Sequence, residues 1–217
     1  MRLLSVNVAQ PRLVEWNDAL VHTGIFKQPI AGPVRVTFTN LAGDRQADLR
    51  VHGGVDQAVY GYASEHYPFW REQLGREDLD WGMFGENLTF EGLTEADARV
   101  GDVFTIGTAE VEVSQPRLPC FKLGLKFGRA DMVKRFLQSG RLGCYFRVRR
   151  EGVLQAGDAV WRGTSAATDA PSIAELAGLE ANGRKDVALL ERAARCAALT
   201  ESWRRQYAER LVTLRGR

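Results

Sequence analysis

The sequence predicts a mainly β body, a compact and mostly antiparallel barrel with a few helices, followed by a small three-helix module. Three observations carry that expectation. Short runs rich in β-branched residues recur between glycine turns through the first three quarters of the 217-residue chain. Two segments within that body switch to helical spacing. After Gly163 strand character ends, which divides the chain into a body over 1–163 and a module over 164–217.

The elements follow in order. Arg35–Asn40 (RVTFTN) alternates polar and apolar residues, the pattern of a half-buried strand. Ala63–Gly75 (ASEHYPFWREQLG) reads as a helix with a glycine just past its end. Glu86–Phe90 is strand-like, and Asp102–Gln115 reads as two strands in a hairpin turned at Gly107. Arg129–Gly140 is a second glycine-ended helix. The run from Cys144 (CYFRVRREGVLQAGDAVWRG) adds two more strand-like pieces turned at Glu151-Gly152. TSAATDAP then reads as a linker. Ser172 with Glu175 is a capping-box signature, with Ile173, Leu176 and Ala177 on one helical face. A second module helix runs from about Asp186 to Leu199, with Val187, Leu190 and Ala194 as its buried stripe. Thr200 can cap a third, in which Trp203, Tyr207, Leu211 and Leu214 recur at helical spacing.

Composition sets bounds on function. The net charge of +2 does not by itself suggest a polyanionic partner. The module carries about nine Lys/Arg against seven Asp/Glu, which leaves the body near neutral. No run approaches eighteen apolar residues, and the N-terminal stretch lacks a signal-peptide pattern, so a cytoplasmic protein without membrane association is expected. The 3 cysteines, Cys120, Cys144 and Cys196, form no CxxC pair, and the 3 histidines show no HxxxH spacing. Neither a disulfide scaffold nor a zinc site is expected.

Four stretches could carry chemistry. In Asp48–Tyr62, His52 precedes Gly53 and Gly54, and Asp56 follows. Paired glycines let backbone N–H groups approach an anion, although a tight turn with a surface histidine reads equally simply. Thr23–Lys27 (TGIFK) offers a hydroxyl and an ammonium for a phosphate, or a strand entry with a solvated lysine. In Met83–Thr89 (MFGENLT), Asn87 can satisfy turn backbone or bind a ligand. Finally, SQPRLPCFKLG sets Cys120 behind Pro116 and Pro119 and between Arg117 and Lys122. Nearby cations favour thiolate, which is both nucleophile and soft-metal ligand. Its own surroundings leave Cys120 open as a buried hydrophobe, a redox thiol, a nucleophile or a ligand. Cys144, in a strand-like run, and Cys196, on a helix, read as core residues.

Taken together and in this order, TGIFK, GDRQADLRVHGGVDQAVYGY, MFGENLT, VGDVFTIGTAEVEVSQPRLPCFKL and the closing AGDAVW resemble a MOSC domain of the YiiM-type 6-N-hydroxylaminopurine resistance group. The resemblance covers nearly the whole chain, because that group also carries a short C-terminal three-helix domain. It implies a MOSC-type closed β-barrel binding a molybdenum cofactor, with a molybdopterin dithiolene and one protein thiolate, matching Cys120, on the metal. It further implies that Thr23, Lys27, His52, Gly53, Gly54, Asp56, Asn87, Gln115 and Arg117 lie around the cofactor.

The function this implies is reduction of an N-hydroxylated amine or nucleobase, R–NHOH to R–NH2 and water, by two electrons and two protons. Cys120 would anchor the metal, while Asp56 or His52 would relay protons or orient pocket groups, a reading from residue type alone. The chain shows neither a GxGxxG fingerprint nor an iron–sulfur cysteine set. The resemblance accordingly implies a separate flavoprotein or ferredoxin-like electron donor, and a homodimer is one assembly open to it. Two alternatives stand beside this reading. Cys120 could carry a persulfide in a sulfur-carrier role, as in the C-terminal part of molybdenum-cofactor sulfurases. PSIAELAGLEANG also resembles the opening of a helix-turn-helix, but the next helix lacks the clustered basic face that DNA binding needs.

Overall fold

The computed structural model describes residues 1–48, 53–183 and 185–216. The strands are β1 (Arg2–Val8), β2 (Arg12–Trp16), β3 (Ala19–Thr23), β4 (Gln28–Pro29), β5 (Val34–Val36), β6 (Val59–Ala63), β7 (Leu88–Glu91), β8 (Val103–Ile106), β9 (Ala109–Pro116), β10 (Cys144–Arg150), β11 (Gly152–Leu154) and β12 (Val160–Thr164). The helices are α1 (His66–Leu74), α2 (Phe121–Phe127), α3 (Met132–Ser139), α4 (Ile173–Asn182), α5 (Val187–Arg195) and α6 (Glu201–Arg215). None of them is long and apolar enough to cross a membrane among the described residues.

Eight strands form one sheet in the order β12-β8-β9-β10-β6-β7-β1-β4, with β5–β11 and β2–β3 as separate two-stranded pairs. The expected closed barrel is corrected here, because the sheet has open edges at β12 and β4. Among the described residues β1 and the entry to β12 meet at an isolated bridge between Arg2 and Ala159, with backbone bonds on either side, such as Leu3 N–H to Asp158 O at 2.9 Å. The sheet is also mixed. β6 and β7 pair in parallel, which requires a crossover connection, and α1 lies within it.

Several element boundaries differ from the pattern in the sequence. The strand expected over Arg35–Asn40 is only Val34–Val36, since the chain turns after it, with Thr37 N–H donating to Asn40 O at 2.8 Å and Val36 bridged to Leu41. The hairpin expected at Glu151-Gly152 does not form: β11 pairs with β5, not with β10. Local alternation cannot distinguish those partners. The β8–β9 hairpin turns between Ile106 and Ala109, around Gly107.

Two apolar clusters organise the interior. One lies on the sheet, through Phe90, Phe104 and Phe146, and continues into Leu176, Leu190, Trp203 and Tyr207 of the C-terminal helices. The helices after Thr164 are therefore packed on the same core as the strands, and backbone bonds from Ile173 to Ala98 O and from Ala174 to Glu95 O anchor α4. The capping box forms as the sequence pattern indicates, with Glu175 N–H donating to Ser172 Oγ and Ser172 N–H to Glu175 Oε2. On α5 the buried residues are Leu189, Leu190 and Ala193, while Val187 is 40% exposed. The stripe is thus offset from Val187, Leu190 and Ala194, because packing against α6 sets which face turns inward.

The second cluster is aromatic. Tyr62, Tyr67, Trp70, Phe84 and Phe136 pack between β6, α1 and α3, with Trp70 and Phe136 stacked at 5.7 Å and Trp70 Nε1 donating to Tyr62 Oη at 2.7 Å. α2, absent from the expected elements, contributes Leu123 and Phe127 to this cluster. Its seven residues are too few to show a helical period, and only Gly128 in the left-handed cap conformation marks its end. The aromatic floor matters for function, because the site is built directly on it.

Candidate active site

A solvent-open cleft of about 680 Å³ is lined by residues from four separate stretches: Thr23, Gly24, Ile25 and Lys27; Arg45–Ala47 with Gly53; Gly85 and Asn87; and Arg117, Leu118, Cys120 and Lys122. Gln57, Tyr60 and Tyr145 complete the wall. β9 delivers the last stretch. It ends at Pro116, and the extended backbone through Pro119 sets Cys120 immediately before α2.

Arg117 is the most constrained cation of the cleft. It is buried, and its guanidinium carbon sits 5.3 Å from the Tyr60 ring centre and 5.2 Å from that of Phe136. Burial works against its charge, yet the Tyr60 and Tyr145 phenols and Cys120 together hold its pKa above the ordinary arginine value. Its Nη1 is buried with no hydrogen-bond partner among the described residues. A donor in that position is costly unless a ligand supplies the acceptor. Tyr145 sits opposite Gln115 and Tyr60 in the ladders, and burial pushes its phenol pKa up although Arg117 pulls it down.

The other wall is held by a buried ionic cluster. Lys27 Nζ donates to both Asp44 oxygens, at 2.5 and 2.6 Å. Asp44 also accepts from Ala9 N–H and from Asn87 Nδ2, both at 2.9 Å. Burial lowers the Lys27 pKa, and Asp44 offsets part of that. The Asn87 amide is further committed to Asn7 O and to Tyr60 N–H. Thr23 Oγ1 accepts from Ile25 N–H at 3.2 Å. Gly24 allows the segment after β3 to approach the Arg45 backbone closely, since a Cβ there would lie 2.4 Å from Arg45 O.

The sequence model of the MOSC domain family matches residues 48–161, more than half of the chain. The chain is a MOSC-domain protein. It is 42% identical over 208 residues to YflK of Bacillus subtilis (strain 168), covering 94% of this chain and 92% of that protein. Its structure is similar to the crystal structure of YiiM from Geobacillus stearothermophilus, with a TM-score of 0.80 and 38% identity over 97% of this chain and 98% of that one. A protein named Reductase from Gibberella moniliformis (strain M3125 / FGSC 7600) is 38% identical over 143 residues, 64% of this chain and 25% of its own length.

In this MOSC domain the structure gathers Thr23, Lys27, Gly53, Asn87, Arg117 and Cys120 at one cleft. Among the described residues it does not bring Gln115, Gly54 or Asp56 there. Gln115 is buried within β9, and Gly54 is not on the lining. Asp56 is turned to Arg147, 2.6 Å away, so its carboxylate serves an ion pair on the strand face and not the cleft. Ser114 Oγ also donates to Asp56 O at 2.6 Å. These bonds anchor the turn whose Gly53 and Gly54, at φ 88° and 81°, need the freedom of glycine. His52 lies outside the described residues. Tyr60 and Arg45 fall inside the glycine-pair motif, whereas Tyr145 carries no local signal as a lining group, because strand register brings it in. Asp44 had a signal only in its place beside Gly43 in the motif. Among the described residues, no three His, Cys, Asp or Glu side chains converge as a metal site.

Proposed function

We propose that this MOSC-domain protein holds a molybdenum cofactor in the cleft and reduces N-hydroxylated compounds such as 6-N-hydroxylaminopurine to the amine and water. One juxtaposition carries the reading: Cys120 shares the cleft with Arg117, whose buried Nη1 lacks an acceptor among the described residues. The donor set fits such a group. A molybdopterin brings two sulfurs of its own, so a single protein thiolate suffices where zinc would want three or four ligands. Its anionic, acceptor-rich body matches Arg117, with Arg45 and Lys122 also on the lining. The relative named Reductase supports an oxidoreductase of this kind.

When bound, the cofactor supplies two-electron chemistry for R–NHOH + 2 e⁻ + 2 H⁺ → R–NH2 + H2O. The chain's own residues bind and orient. Cys120 supplies the thiolate, and Arg117 fixes an acceptor group on the aromatic floor. Lys27, Asp44 and Asn87 hold the wall rigid from behind. Burial keeps the Tyr145 phenol protonated, so the cleft wall retains an O–H donor at neutral pH. Electrons come from a separate flavoprotein or ferredoxin-like partner.

The test is elemental and pterin analysis of protein made in a host that synthesises the cofactor, followed by turnover of 6-N-hydroxylaminopurine with a chemical reductant. Molybdenum near one per chain, its loss in Cys120→Ala, and formation of the amine are expected. Full occupancy in Cys120→Ala would refute the ligand assignment. A persulfide on Cys120 without reductase activity would replace this reading with sulfur transfer.

A further inference from the structure

Lys126 lies on the last turn of α2, the helix that begins directly after Cys120. Its Nζ donates to Ile25 O at 3.2 Å and to Gly82 O at 3.0 Å. Each carbonyl already closes a tight turn, accepting from Lys27 N–H at 2.9 Å and from Gly85 N–H at 3.0 Å respectively. Those turns carry Ile25, Lys27, Gly85 and Asn87 onto the cleft lining. One ammonium therefore joins three segments that reach the cleft from distant parts of the chain.

We propose that Lys126 is a positioning residue whose ammonium locks the helix headed by Cys120 to the two turns that complete the cleft. The inference rests on reading that cleft as the active site. Four charged groups act on Lys126 from the surrounding elements: Glu86, Lys27, Arg12 and Asp80. The Phe26 ring lies 5.4 Å from its Nζ, with the Arg12 guanidinium 4.1 Å from the same ring. Glu86 is fully buried beneath, accepting from Gly82 N–H, Phe84 N–H, Thr89 Oγ1 and the Tyr67 hydroxyl. Burial brings the Lys126 pKa down to about 8, with Lys27 and Arg12 adding to the effect and Glu86 opposing it. The closed arrangement is accordingly favoured as pH rises through about 8, since the neutral amine keeps hydrogens to donate and sheds the cost of a buried charge.

Amide hydrogen exchange on the cofactor-free full-length protein, corrected for the intrinsic rate at each pH, tests the lock without needing turnover. Protection over residues 24–28 and 82–87 should rise about tenfold in the wild type between pH 7 and 9, because opening exposes the ammonium and returns its pKa toward 10.5. Lys126→Arg, which stays charged, should hold protection level across that range. Lys126→Gln should be poorly protected at both pH values. A flat wild-type profile, or the same rise in Lys126→Arg, overturns the proposal, and neither result depends on whether Lys126→Gln folds. Turnover is measured in parallel on cofactor-loaded protein. Absence of reductase activity with the expected protection profile overturns the functional reading and leaves the lock standing.

Discussion

Lys27 Nζ sits 2.5 and 2.6 Å from the two carboxylate oxygens of Asp44, and both residues are buried, Lys27 on the cleft lining and Asp44 off it. The Lys27 ammonium, which the sequence pattern offers as a phosphate contact, is thereby committed to the protein. Breaking one side of a buried pair leaves the other charge stranded. Asp44→Asn should therefore lose about 3 kcal/mol or more in urea unfolding. The double variant Asp44→Asn/Lys27→Met should recover much of that loss. Equal destabilisation of single and double variants would count against a stranded charge as the cause.

Asp56 carries a second prediction. Its ion pair with Arg147 at 2.6 Å gives it an anchoring role on the turn that presents Gly53. Asp56→Asn in cofactor-loaded protein should lower the reduction rate by less than about tenfold, whereas loss of a general acid typically costs 10²–10⁴. A loss in the larger range would return Asp56 to the chemistry.

Arg117 should behave differently with and without a ligand. Its Nη1, buried without a hydrogen-bond partner among the described residues, makes the cation expensive in the empty protein. Arg117→Met should leave the cofactor-free protein as stable as the wild type or more so, while sharply reducing the molybdenum bound per chain. Thermal unfolding and metal analysis on the same preparations check both halves. A large destabilisation of the empty protein would mean that Arg117 is chiefly a structural brace.

Lys126 gives a stability trend with pH. Its pKa is lowered from 10.5 to about 8 in the fold, so between those values the unfolded chain binds more protons. Burying the charge is costly below about pH 8, and the cost is relieved as pH rises toward 10.5. The stability of wild type relative to Lys126→Met should accordingly rise from pH 8 to pH 10, by at most roughly 1.4 kcal/mol per unit. Paired urea titrations at pH 7, 9 and 10 read this difference directly, and a constant offset would contradict it.

The three thiols should separate in native alkylation. Cys120 lines the cleft, Cys196 is half-buried with its thiol pushed up by burial, and Cys144 is buried and pushed well up. Peptide mapping should find Cys120 modified first and Cys144 only on unfolding. Early labelling of Cys144 would contradict its burial.

Much of the body was legible because local signals agreed with tertiary packing. The β8–β9 hairpin at Gly107, the glycine ends of α1 and α3, and the Ser172–Glu175 capping box each depend on neighbours close in sequence. The motif order likewise placed Thr23, Asn87, Arg117 and Cys120 in one site, and all four line the cleft. Misreadings arose where the deciding partner is remote. β11 alternates as it would in a hairpin with β10, but it pairs with β5. Val187 has helical spacing yet faces solvent.

By itself the sequence determined the class of the protein and its mainly β body with C-terminal helices, and it singled out Cys120, which lines the cleft. These rest on residue order and short-range geometry, which survive without knowledge of the fold. Only the tertiary structure decided that the sheet stays open, and that Lys27 and Asn87 face Asp44. It also decided that Asp56 faces Arg147, and that Lys126 ties α2 to two distant turns. Each of those turns on which partner a buried polar group finds, and desolvation makes that choice expensive to leave unmade. A buried charge must meet its counterpart wherever the chain brings it, and that distance is not written in any local pattern.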